Sequence, residues 1–320
     1  MPDLRIMVTC PPMQRTAAEW LASLTERGIA VELPPVTQHV ARADLERLLP
    51  KCDGIIAGDE PLDRALLASA PRLRVISRWG VGIDNIDLEA TRELGIEVRY
   101  TPAVFADEVA DVVIGYLVML TRHLQAIDAG VRARDWPKPQ GVSLAGRMLG
   151  IVGLGAIGRA VAKRGVALEM QVVGTDPEPG AQAAAVDLGV QLIDVEVLFD
   201  QADVISLNCP LTSENHHLVN SDRLSRVKPG SFVINTARGP LIDEAALVDS
   251  LRSGHLAGAA LDVFETEPLP TGSPLRTLPN VIFGSHNASN TAEAVTRVNR
   301  LAIDNLLAVL EPVPLGAEAS

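Results

Sequence analysis

The sequence predicts an α/β protein with two doubly wound parallel-sheet domains. Short apolar runs alternate with amphipathic helical segments over the first hundred residues, and a second alternation of the same kind begins near residue 147. Strands that alternate with helices in this way form a mainly parallel sheet covered on both faces. The glycine-rich stretch GLGAIG, which lies inside the second series, indicates that one of the two domains binds a nucleotide.

The first series starts with the strand LRIMVT and the amphipathic helix TAAEWLASLTERG, which ends at Gly28. It continues with the strand IAVEL, the helix ADLERLLP, the strand GIIAG, the helix LDRALLASA and the strand LRVISRW. No glycine-rich phosphate loop follows the first of these strands in the sequence. We therefore do not expect this domain to hold a dinucleotide.

The stretch 105–136, which lies between Pro102 and Pro137, predicts one long helix that connects the domains. The second series then supplies seven strands, LGIVG, QVVGTD, VQLI, ADVISLNC, SFVINTA, GAALDVF and VIFGS, which suit a complete doubly wound nucleotide-binding domain. A last helix, over residues 291–310, is expected to return to the first domain. The predicted domains are therefore residues 1–100 with 288–320, and residues 101–287.

Composition and charge exclude several classes of function. With 47% hydrophobic and 21% charged residues in a chain of 320, the protein can bury a large core and is not intrinsically disordered. A formal net charge of −12 argues against a nucleic acid or an anionic membrane as a partner. A small anionic substrate would therefore need a local cluster of positive charge.

The sequence predicts neither a metal site nor a membrane segment. Cys10, Cys52 and Cys209 lack metal-ligand spacing, and the pair His216–His217 is expected in a surface loop. The start of the chain has no basic segment followed by an apolar run and a cleavage site, so we expect a cytoplasmic protein. The most apolar run, residues 109–120, contains an aspartate and is too short to span a bilayer.

The strongest local signal is GLGAIG, in which Gly153, Gly155 and Gly158 have the G-x-G-x-x-G spacing of a dinucleotide loop. The first glycine allows a tight turn, the second lets a pyrophosphate approach the backbone, and the third lets the next helix pack close to the strand. Asp176 stands 18 residues after Gly158 (176 − 158), at the end of the next strand, where a carboxylate can accept the ribose hydroxyls. The residues that follow it, PEP, offer no cation for a 2′-phosphate, so NAD is favoured over NADP.

Polar side chains also follow three later strands of the second series. NTARGPLIDEAAL supplies Arg238, GAALDVFETEP supplies Asp262, Glu265 and Glu267, and VIFGSH supplies His286. Because the carboxyl ends of parallel strands meet at one edge of the sheet, we expect these side chains to converge. Hydride transfer between an alcohol and a carbonyl needs a proton carrier and a cation that polarises the carbonyl, and a His–Glu pair beside an arginine meets both needs. Taken singly, each of these residues also has a structural interpretation, such as a turn cap or a bond to the backbone.

The chain resembles the D-isomer-specific 2-hydroxyacid dehydrogenases from about residue 50 to 305, and within that family it is most similar to the D-3-phosphoglycerate dehydrogenases. The segments that carry the resemblance are SRWGVGIDNIDLEA, FADEVADVVIGYLVML, GIVGLGAIGRA, NTARGPLIDEAAL, GAALDVFETEP and the strand with the histidine. The resemblance implies a flavodoxin-like substrate domain, a Rossmann domain that binds NAD, and a small 2-hydroxy or 2-oxo acid as substrate. It also implies a homodimer, with residues 105–136 near the two-fold axis.

The resemblance implies a role for each matching residue. Arg238 would bind the carboxylate and carbonyl oxygens of the substrate, Glu267 would hold the histidine, and His286 would exchange the proton. Further cofactor contacts are implied for Thr101, Ala156, Ile157, Asp176, Cys209, Thr236, Arg238 and Asp262. A contact from Cys209 needs only its backbone, and inert packing is the alternative for this residue.

Substrate identity depends on the loop RWGVGIDN of the first domain. Its two glycines let consecutive N–H groups form an anion-binding nest for a carboxylate, and the alternative is a tight turn with Asp84 as a helix cap. The resemblance implies substrate contacts from Trp79, Gly80 and Val81. It also matches Arg78 with the arginine that reads the substrate phosphate in the phosphoglycerate enzymes, where a guanidinium–phosphate pair is favourable. A surface salt bridge is the alternative role for this arginine.

The first substrate that we expect is therefore 3-phospho-D-glycerate, oxidised to 3-phosphohydroxypyruvate. The alternatives are reduction of glyoxylate, hydroxypyruvate or another 2-oxo acid and, in a different class, a corepressor-like protein that senses NAD(H). Trp79 departs from the phosphoglycerate pattern, in which a small residue stands at this place. Asn287 and Ala288 replace the apolar residue and the glycine that usually follow the histidine, and Ala288 is tolerated only if its φ is negative.

Overall fold

The computed structural model describes residues 4–311, which fold into two compact units. Among these residues, the first unit contains 4–104 and 290–311, and the second unit contains 105–289. The chain therefore passes between the units after residues 104 and 289, whereas the sequence predicted crossings after residues 100 and 287.

The first unit is built on a five-stranded sheet. Its strands are β1 Leu4–Val8, β2 Ile29–Glu32, β3 Gly54–Ala57, β4 Val75–Arg78 and β5 Glu97–Arg99. Their order is β2-β1-β3-β4-β5 and all neighbours run parallel, which is the flavodoxin-like arrangement that the sequence predicted. The sequence did not predict β5, because this edge strand has only three residues and two of them are charged.

The helices of the first unit lie between these strands. They are α1 Pro11–Arg15, α2 Ala17–Thr25, α3 Arg42–Leu48, α4 Arg64–Ala68 and α5 Leu88–Leu94, with a 3₁₀ turn at Leu49–Lys51. The sequence did not predict α1, although its two prolines suit the first positions of a helix, where the N–H has no partner within the helix. Asp87 caps α5 by accepting a backbone N–H of its first turn, so the cap is Asp87 and not Asp84.

The second unit contains a seven-stranded parallel sheet. Its strands are β6 Met148–Val152, β7 Gln171–Thr175, β8 Gln191–Leu192, β9 Val204–Leu207, β10 Ser231–Asn235, β11 Leu256–Leu261 and β12 Val281–Phe283. Their order is β12-β11-β10-β9-β6-β7-β8. The seven predicted strands and the Rossmann arrangement are confirmed, and the order reverses between β6 and β9, where such sheets bind their ligands.

The helices of the second unit correct one prediction. They are α6 Ala106–Arg122, α7 Leu124–Arg132, α8 Ala156–Ala167, α9 Pro179–Val186, α10 Val195–Gln201, α11 Ser221–Arg226 and α12 Glu244–Ser253, with 3₁₀ turns at Gly239–Leu241 and Pro274–Thr277. The single long helix predicted over residues 105–136 is wrong, because His123 has a left-handed φ of 53° and separates α6 from α7. A residue in this conformation ends the helical hydrogen-bond ladder.

The last helix, α13 Ala292–Leu310, packs on the sheet of the first unit against β3 and β4. Thr291 caps it by accepting a backbone N–H of the first turn. The Ser77 hydroxyl, on β4, donates to the carbonyl oxygen of Ala302 at 2.8 Å. Residues that follow β12 in sequence therefore complete the hydrophobic core of the first unit.

Two properties of residues 4–311 bear on the classes of function. No helix in this part of the chain has the length and the apolar character needed to cross a bilayer. The same part contains no group of three or more His, Cys, Asp or Glu side chains placed to hold a metal ion.

Candidate active site

The glycine loop joins β6 to α8. A Cβ on Gly158 would lie 1.9 Å from the carbonyl oxygen of Gly153, and a Cβ on Gly153, whose φ is 93°, would lie 2.7 Å from the backbone nitrogen of Cys209. Both positions therefore require glycine. A Cβ on Gly155 would meet no atom within 4 Å, so open space lies in front of the first turn of α8. No side chain caps this helix, and its first N–H groups remain for an anionic ligand.

Asp176 follows β7 and lies beside the glycine loop. Its Oδ2 accepts the N–H of Leu154 at 2.7 Å, and its Oδ1 accepts the N–H of Glu178 at 2.8 Å. These bonds hold the carboxylate against the loop, and each oxygen keeps a further lone pair for a ribose hydroxyl. A 2′-phosphate at this place would be repelled by the carboxylate, so the loop fits NAD rather than NADP.

Three further residues predicted to contact the cofactor lie in the first turn of α8 or directly after β10. Ala156 and Ile157 form the first turn of α8 and are half-buried. Thr236 directly follows β10, and its buried Oγ1 has no hydrogen-bond partner among the described residues. A buried polar atom without a partner is unfavourable by roughly 1–3 kcal/mol, and a bound dinucleotide offers donors and acceptors that remove this penalty. The residues of this edge of the sheet therefore fit NAD.

Cys209 and Thr101 contact other parts of the protein. The backbone of Cys209 borders Gly153, while burial of its thiol raises the pKa of Cys209 to about 11 and keeps it protonated at neutral pH. Thr101 lies in the first unit and is 1% exposed. Its hydroxyl donates to the carbonyl oxygen of Gly80 and accepts the N–H of the same residue, both at 3.0 Å. Thr101 therefore fixes the loop after β4, and its contact with the cofactor stays a prediction.

The predicted His–Glu pair forms within the second unit. Nδ1 of His286 lies 2.8 Å from Oε2 of Glu267, and the other carboxylate oxygen accepts the N–H of Phe264 at 3.0 Å. The side chain of Glu267 is 15% exposed and that of His286 is 25% exposed. The carboxylate is thus fixed by the backbone on one side, and the imidazole that it orients is still reached by solvent.

Arg238 lies between β10 and the 3₁₀ turn that starts at Gly239. A Cβ on Gly239 would lie 1.9 Å from the carbonyl carbon of Phe264, so only glycine lets these two segments approach so closely. This contact places Arg238 beside the segment that carries Glu267. The backbone around the arginine is fixed by Asn235, whose side-chain amide donates to the carbonyl oxygen of Arg238 at 2.8 Å.

Asp262 directly follows β11 and is 2% exposed. Its Oδ1 accepts the N–H of Asn287 at 3.2 Å, and its Oδ2 accepts the N–H of Ala288 at 2.9 Å. Its carbonyl oxygen accepts the N–H of His286 at 2.6 Å. Three consecutive N–H groups of residues 286–288, here called the histidine loop, therefore converge on Asp262. The contact of this carboxylate with the cofactor stays a prediction.

The conformation of the histidine loop shows how Ala288 and Asn287, the two residues that depart from the family pattern, are accommodated. Ala288 is 6% exposed and is not among the described residues with a positive φ, so its methyl group brings no backbone strain. The strained residue is His286 itself, whose φ is 54°. The side chain of Asn287 is exposed and gives no indication of a ligand.

Glu265, the remaining acidic residue of this group, does not join the His–Glu pair. Its Oε1 lies 2.9 Å from Nε2 of His217 and accepts the N–H of Glu244 at 3.3 Å. Burial and the charges of neighbouring carboxylates raise the pKa of Glu244. His217 therefore belongs to a separate acidic cluster, and the expectation that this residue lies in a loop agrees with its position between β9 and α11.

Arg78, at the end of β4 in the first unit, is 5% exposed. Its Nη2 is paired with the carboxylate of Asp59, its Nη1 donates to the carbonyl oxygens of Ala57 and Trp79 at 3.1 Å, and its Nε donates to that of Gly82 at 2.8 Å. The salt bridge considered as an alternative is present, with the guanidinium buried and the Asp59 side chain 31% exposed. The guanidinium instead holds together the ends of two strands.

The contacts of the next residues revise the proposed anion nest. Trp79 is 7% exposed, and its N–H donates to the carbonyl oxygen of Ala57 while its indole donates to Asn299 at 2.7 Å. The N–H of Gly80, a residue with a φ of 143°, is taken by Thr101. Two N–H groups of the nest thus have internal acceptors. Val81 is 39% exposed and is the residue of the three whose side chain is open to a ligand.

Sequence reasoning missed three residues around these groups, namely Asp59, Glu60 and Tyr116. Glu60 is fully buried, and burial raises its pKa, while its Oε1 accepts the N–H of Gly58 at 3.0 Å. The available signal was the acidic pair DE directly after the buried strand GIIAG. The phenol oxygen of Tyr116 lies beside the carboxylate of Asp262. No sequence pattern links these two, because 146 residues separate them (262 − 116).

Comparison with known proteins adds a family match. Residues 114–288 match the model described as "D-isomer specific 2-hydroxyacid dehydrogenase, NAD binding domain". The chain is 40% identical to a glyoxylate reductase of Thermofilum pendens over 79% of this chain and 76% of the relative. It is 32% identical to a D-3-phosphoglycerate dehydrogenase of Archaeoglobus fulgidus over 97% of this chain and 58% of that longer relative.

A solved structure extends the similarity to the whole fold. The D-lactate dehydrogenase of Aquifex aeolicus, crystallised with NAD and lactic acid, matches with a TM-score of 0.83 and 28% identity. The match covers 96% of this chain and 95% of that protein. Both units of the described chain thus have counterparts in one enzyme.

Proposed function

Because the chain belongs to the D-isomer-specific 2-hydroxyacid dehydrogenases, which are NAD-dependent oxidoreductases, we propose that it reduces a small unphosphorylated 2-oxo acid. Glyoxylate and hydroxypyruvate are the first candidates. The observation that carries this choice is the ion pair between the buried guanidinium of Arg78 and the carboxylate of Asp59. The relative named glyoxylate reductase supports the same choice.

The hydrogen bonds of Arg78 argue against a phosphate at this place. A guanidinium has five N–H donors, and four of those of Arg78 are used by three carbonyl oxygens and one carboxylate. A phosphate held by two parallel bonds needs two donors on one edge of the guanidinium. The remaining donor does not meet this need, so a phosphorylated substrate would have to displace Asp59.

The charges around Arg78 act in the same direction. Asp59 neutralises the guanidinium directly, and the carboxyl group of Glu60 is close enough for the charge of Arg78 to lower its pKa against the larger effect of burial. A phosphate dianion would therefore meet the carboxylate of Asp59 next to a cation whose charge Asp59 already balances. Glyoxylate and hydroxypyruvate each have a carboxylate and no phosphate group, so they avoid this repulsion.

The proposed mechanism assigns substrate binding to Arg238 and proton transfer to His286. Bound NADH supplies the hydride that reduces C2 of the 2-oxo acid. Arg238 binds the carboxylate and the carbonyl oxygen, and its charge stabilises the negative charge that develops on that oxygen. His286 gives its proton to the oxygen, so that the alkoxide becomes the hydroxyl of the product.

Glu267 determines which nitrogen of the histidine reacts. Nδ1 faces Oε2 of Glu267 at 2.8 Å, so the proton that moves to the substrate is the one on Nε2. The carboxylate stabilises the imidazolium form that must be present before the transfer, and it holds the ring in one orientation. This arrangement serves either direction of the reaction, because the neutral imidazole can take the proton back.

A substrate profile tests the proposal. We expect NADH oxidation with glyoxylate or hydroxypyruvate to have a kcat/KM at least about tenfold higher than with 3-phosphohydroxypyruvate, since one lost charge-assisted hydrogen bond is worth roughly 1.5–3 kcal/mol. NADPH serves as the cofactor control and should be the poorer donor. A preference for the phosphorylated acid would overturn the proposal and favour 3-phospho-D-glycerate, the second candidate, which the relatives named D-3-phosphoglycerate dehydrogenase support. Absence of turnover with every 2-oxo acid would favour an NAD(H)-sensing protein.

We also propose that the chain forms a homodimer through α7. No residue of this helix is buried, and Leu124 and Val131 are 44% and 46% exposed. They stand seven residues apart, on one face of the helix. Trp136, a little further along the chain, is 77% exposed. An apolar face of this kind supports burial against a second copy.

A further inference from the structure

Tyr116 and Asp262 form a pair that the proposed mechanism does not use. Tyr116 lies in the interior of α6, and its phenol oxygen and the carboxylate of Asp262 border the same point above Gly284. Burial raises the pKa of Tyr116, and the neighbouring charge of Asp262 raises it further. The phenol therefore stays protonated at neutral pH and has a hydrogen that it can donate to the carboxylate.

Gly284 leaves the space that this pair occupies. A Cβ on Gly284 would lie 2.0 Å from Oδ1 of Asp262 and 2.4 Å from the phenol oxygen of Tyr116. Atoms do not approach so closely without a bond, so glycine is required here as long as the pair is in place. The segment before His286 and the helix that carries Tyr116 are thus both fitted to one carboxylate.

The carboxylate in turn holds the histidine loop. The N–H groups of Asn287 and Ala288 bond to its two oxygens, and the N–H of His286 bonds to the Asp262 carbonyl oxygen at 2.6 Å. The φ of His286 is 54°, a conformation that is unfavourable by roughly 1–2 kcal/mol for residues other than glycine. Such a conformation persists when surrounding contacts determine it, and here those contacts come from Asp262.

We propose that Tyr116 is a positioning residue for the acid/base histidine. Its hydroxyl fixes Asp262, Asp262 fixes the backbone of the histidine loop, and this backbone keeps the imidazole of His286 against Glu267. The inference rests on the proposed function only where it assigns the proton transfer to His286. Without the phenol hydrogen bond, the buried carboxylate has one donor fewer and the loop is held less firmly.

The variant Tyr116→Phe tests this role, because it removes one oxygen and keeps the ring. We expect kcat for the 2-oxo acid to fall about tenfold or more, since a hydrogen bond to a charged group is worth roughly 1.5–3 kcal/mol. KM for the 2-oxo acid and the Kd for NADH should change little. A histidine that is held less firmly by Glu267 is less stabilised as imidazolium, so the alkaline decline of kcat should move to lower pH.

A spectroscopic readout separates this inference from the proposed function. The proton shared between Nδ1 of His286 and the Glu267 carboxylate should give a low-field ¹H NMR signal in the wild-type protein and in the control Tyr100→Phe, whose tyrosine is 43% exposed. Tyr116→Phe should weaken or remove the signal. Gly284→Ala pushes on the same pair from the other side and should have the same effect.

The outcomes separate as follows for the two proposals. An unchanged kcat, pH profile and low-field signal in Tyr116→Phe would overturn the positioning role. The same holds if Tyr116→Phe lowers kcat by an equal factor in an Asp262→Asn background, because the effect would then not pass through Asp262. Loss of the signal in a protein that reduces no 2-oxo acid would support the positioning role and reject the proposed function.

Discussion

The hydrogen bonds that Arg78 makes within the protein determine which ligand its guanidinium can bind. An arginine at the end of a buried strand suits anion binding as long as its donors face a ligand, and the sequence alone places it there. The structure instead fills four of its five donors from within the first unit. Asp59 is the acceptor whose loss would change both the number of donors and the charge. Specificity at this position therefore depends on Asp59 as much as on Arg78.

The variant Asp59→Ala tests that dependence. Three backbone carbonyl oxygens keep Arg78 in place, while the donor released on Nη2 and the uncompensated charge become able to bind a phosphate. We expect the ratio of kcat/KM for 3-phosphohydroxypyruvate to that for hydroxypyruvate to rise about tenfold or more. Asp44→Ala, which breaks a surface ion pair with Arg47, is the matched control and should leave the ratio unchanged. A constant ratio in Asp59→Ala would show that Arg78 does not meet the substrate.

The strand–loop–helix unit from β6 to α8 is held together by close backbone contacts at its glycines. Gly158 touches the carbonyl of Gly153, and Gly153 touches the backbone of Cys209 after β9. These contacts bring the start of α8 and the ends of two neighbouring strands together at the point where the strand order reverses. The spacing of the glycines made this unit predictable, because Gly153 and Gly158 stand where a side chain would collide with the backbone.

Substitution by alanine should therefore be harmful at Gly158, in this unit, and harmless at a glycine that has no close neighbours. In Gly158→Ala the added Cβ would lie 1.9 Å from the Gly153 carbonyl oxygen, so α8 must shift. We expect a loss of roughly 1–3 kcal/mol in the free energy of unfolding and a large loss of NADH affinity. Gly115→Ala, in the middle of α6 with no atom within 4 Å, should instead stabilise by about 0.5–1 kcal/mol and keep NADH affinity. Urea unfolding and fluorescence titration measure both, and equal NADH binding by the two variants would contradict the argument.

For the whole molecule, the sequence predicted what depends on local pattern. The parallel strands are apolar runs bounded by turns, and the residues predicted to carry chemistry lie shortly after them, as His286 lies after β12. Features set by distant contacts were not predictable. The break at His123 has no glycine or proline to mark it, and the partners Tyr116 of Asp262 and Asp59 of Arg78 are defined only by the folded chain. Local sequence pattern therefore indicates the reaction class, whereas the partners of the predicted site residues are defined only by tertiary contacts.

The exposed apolar face of α7 predicts that the chain assembles into a homodimer. Leu124 and Val131 expose apolar side chains on one face of α7, and burial of their remaining exposed surface is worth roughly 0.5–1.5 kcal/mol for each side chain. Light scattering after size exclusion should give about twice the chain mass of 34.0 kDa for the wild type, and the single-chain mass for Leu124→Glu with Val131→Glu.

Val186→Glu is the matched control, because Val186 is 51% exposed on α9 and its substitution should leave the dimer intact. A wild-type monomer would contradict the homodimer, and a dimeric double variant would place its interface elsewhere. The charges are introduced far along the chain from Arg238, Glu267 and His286, so loss of the dimer with retained NADH binding would separate assembly from the fold of the second unit.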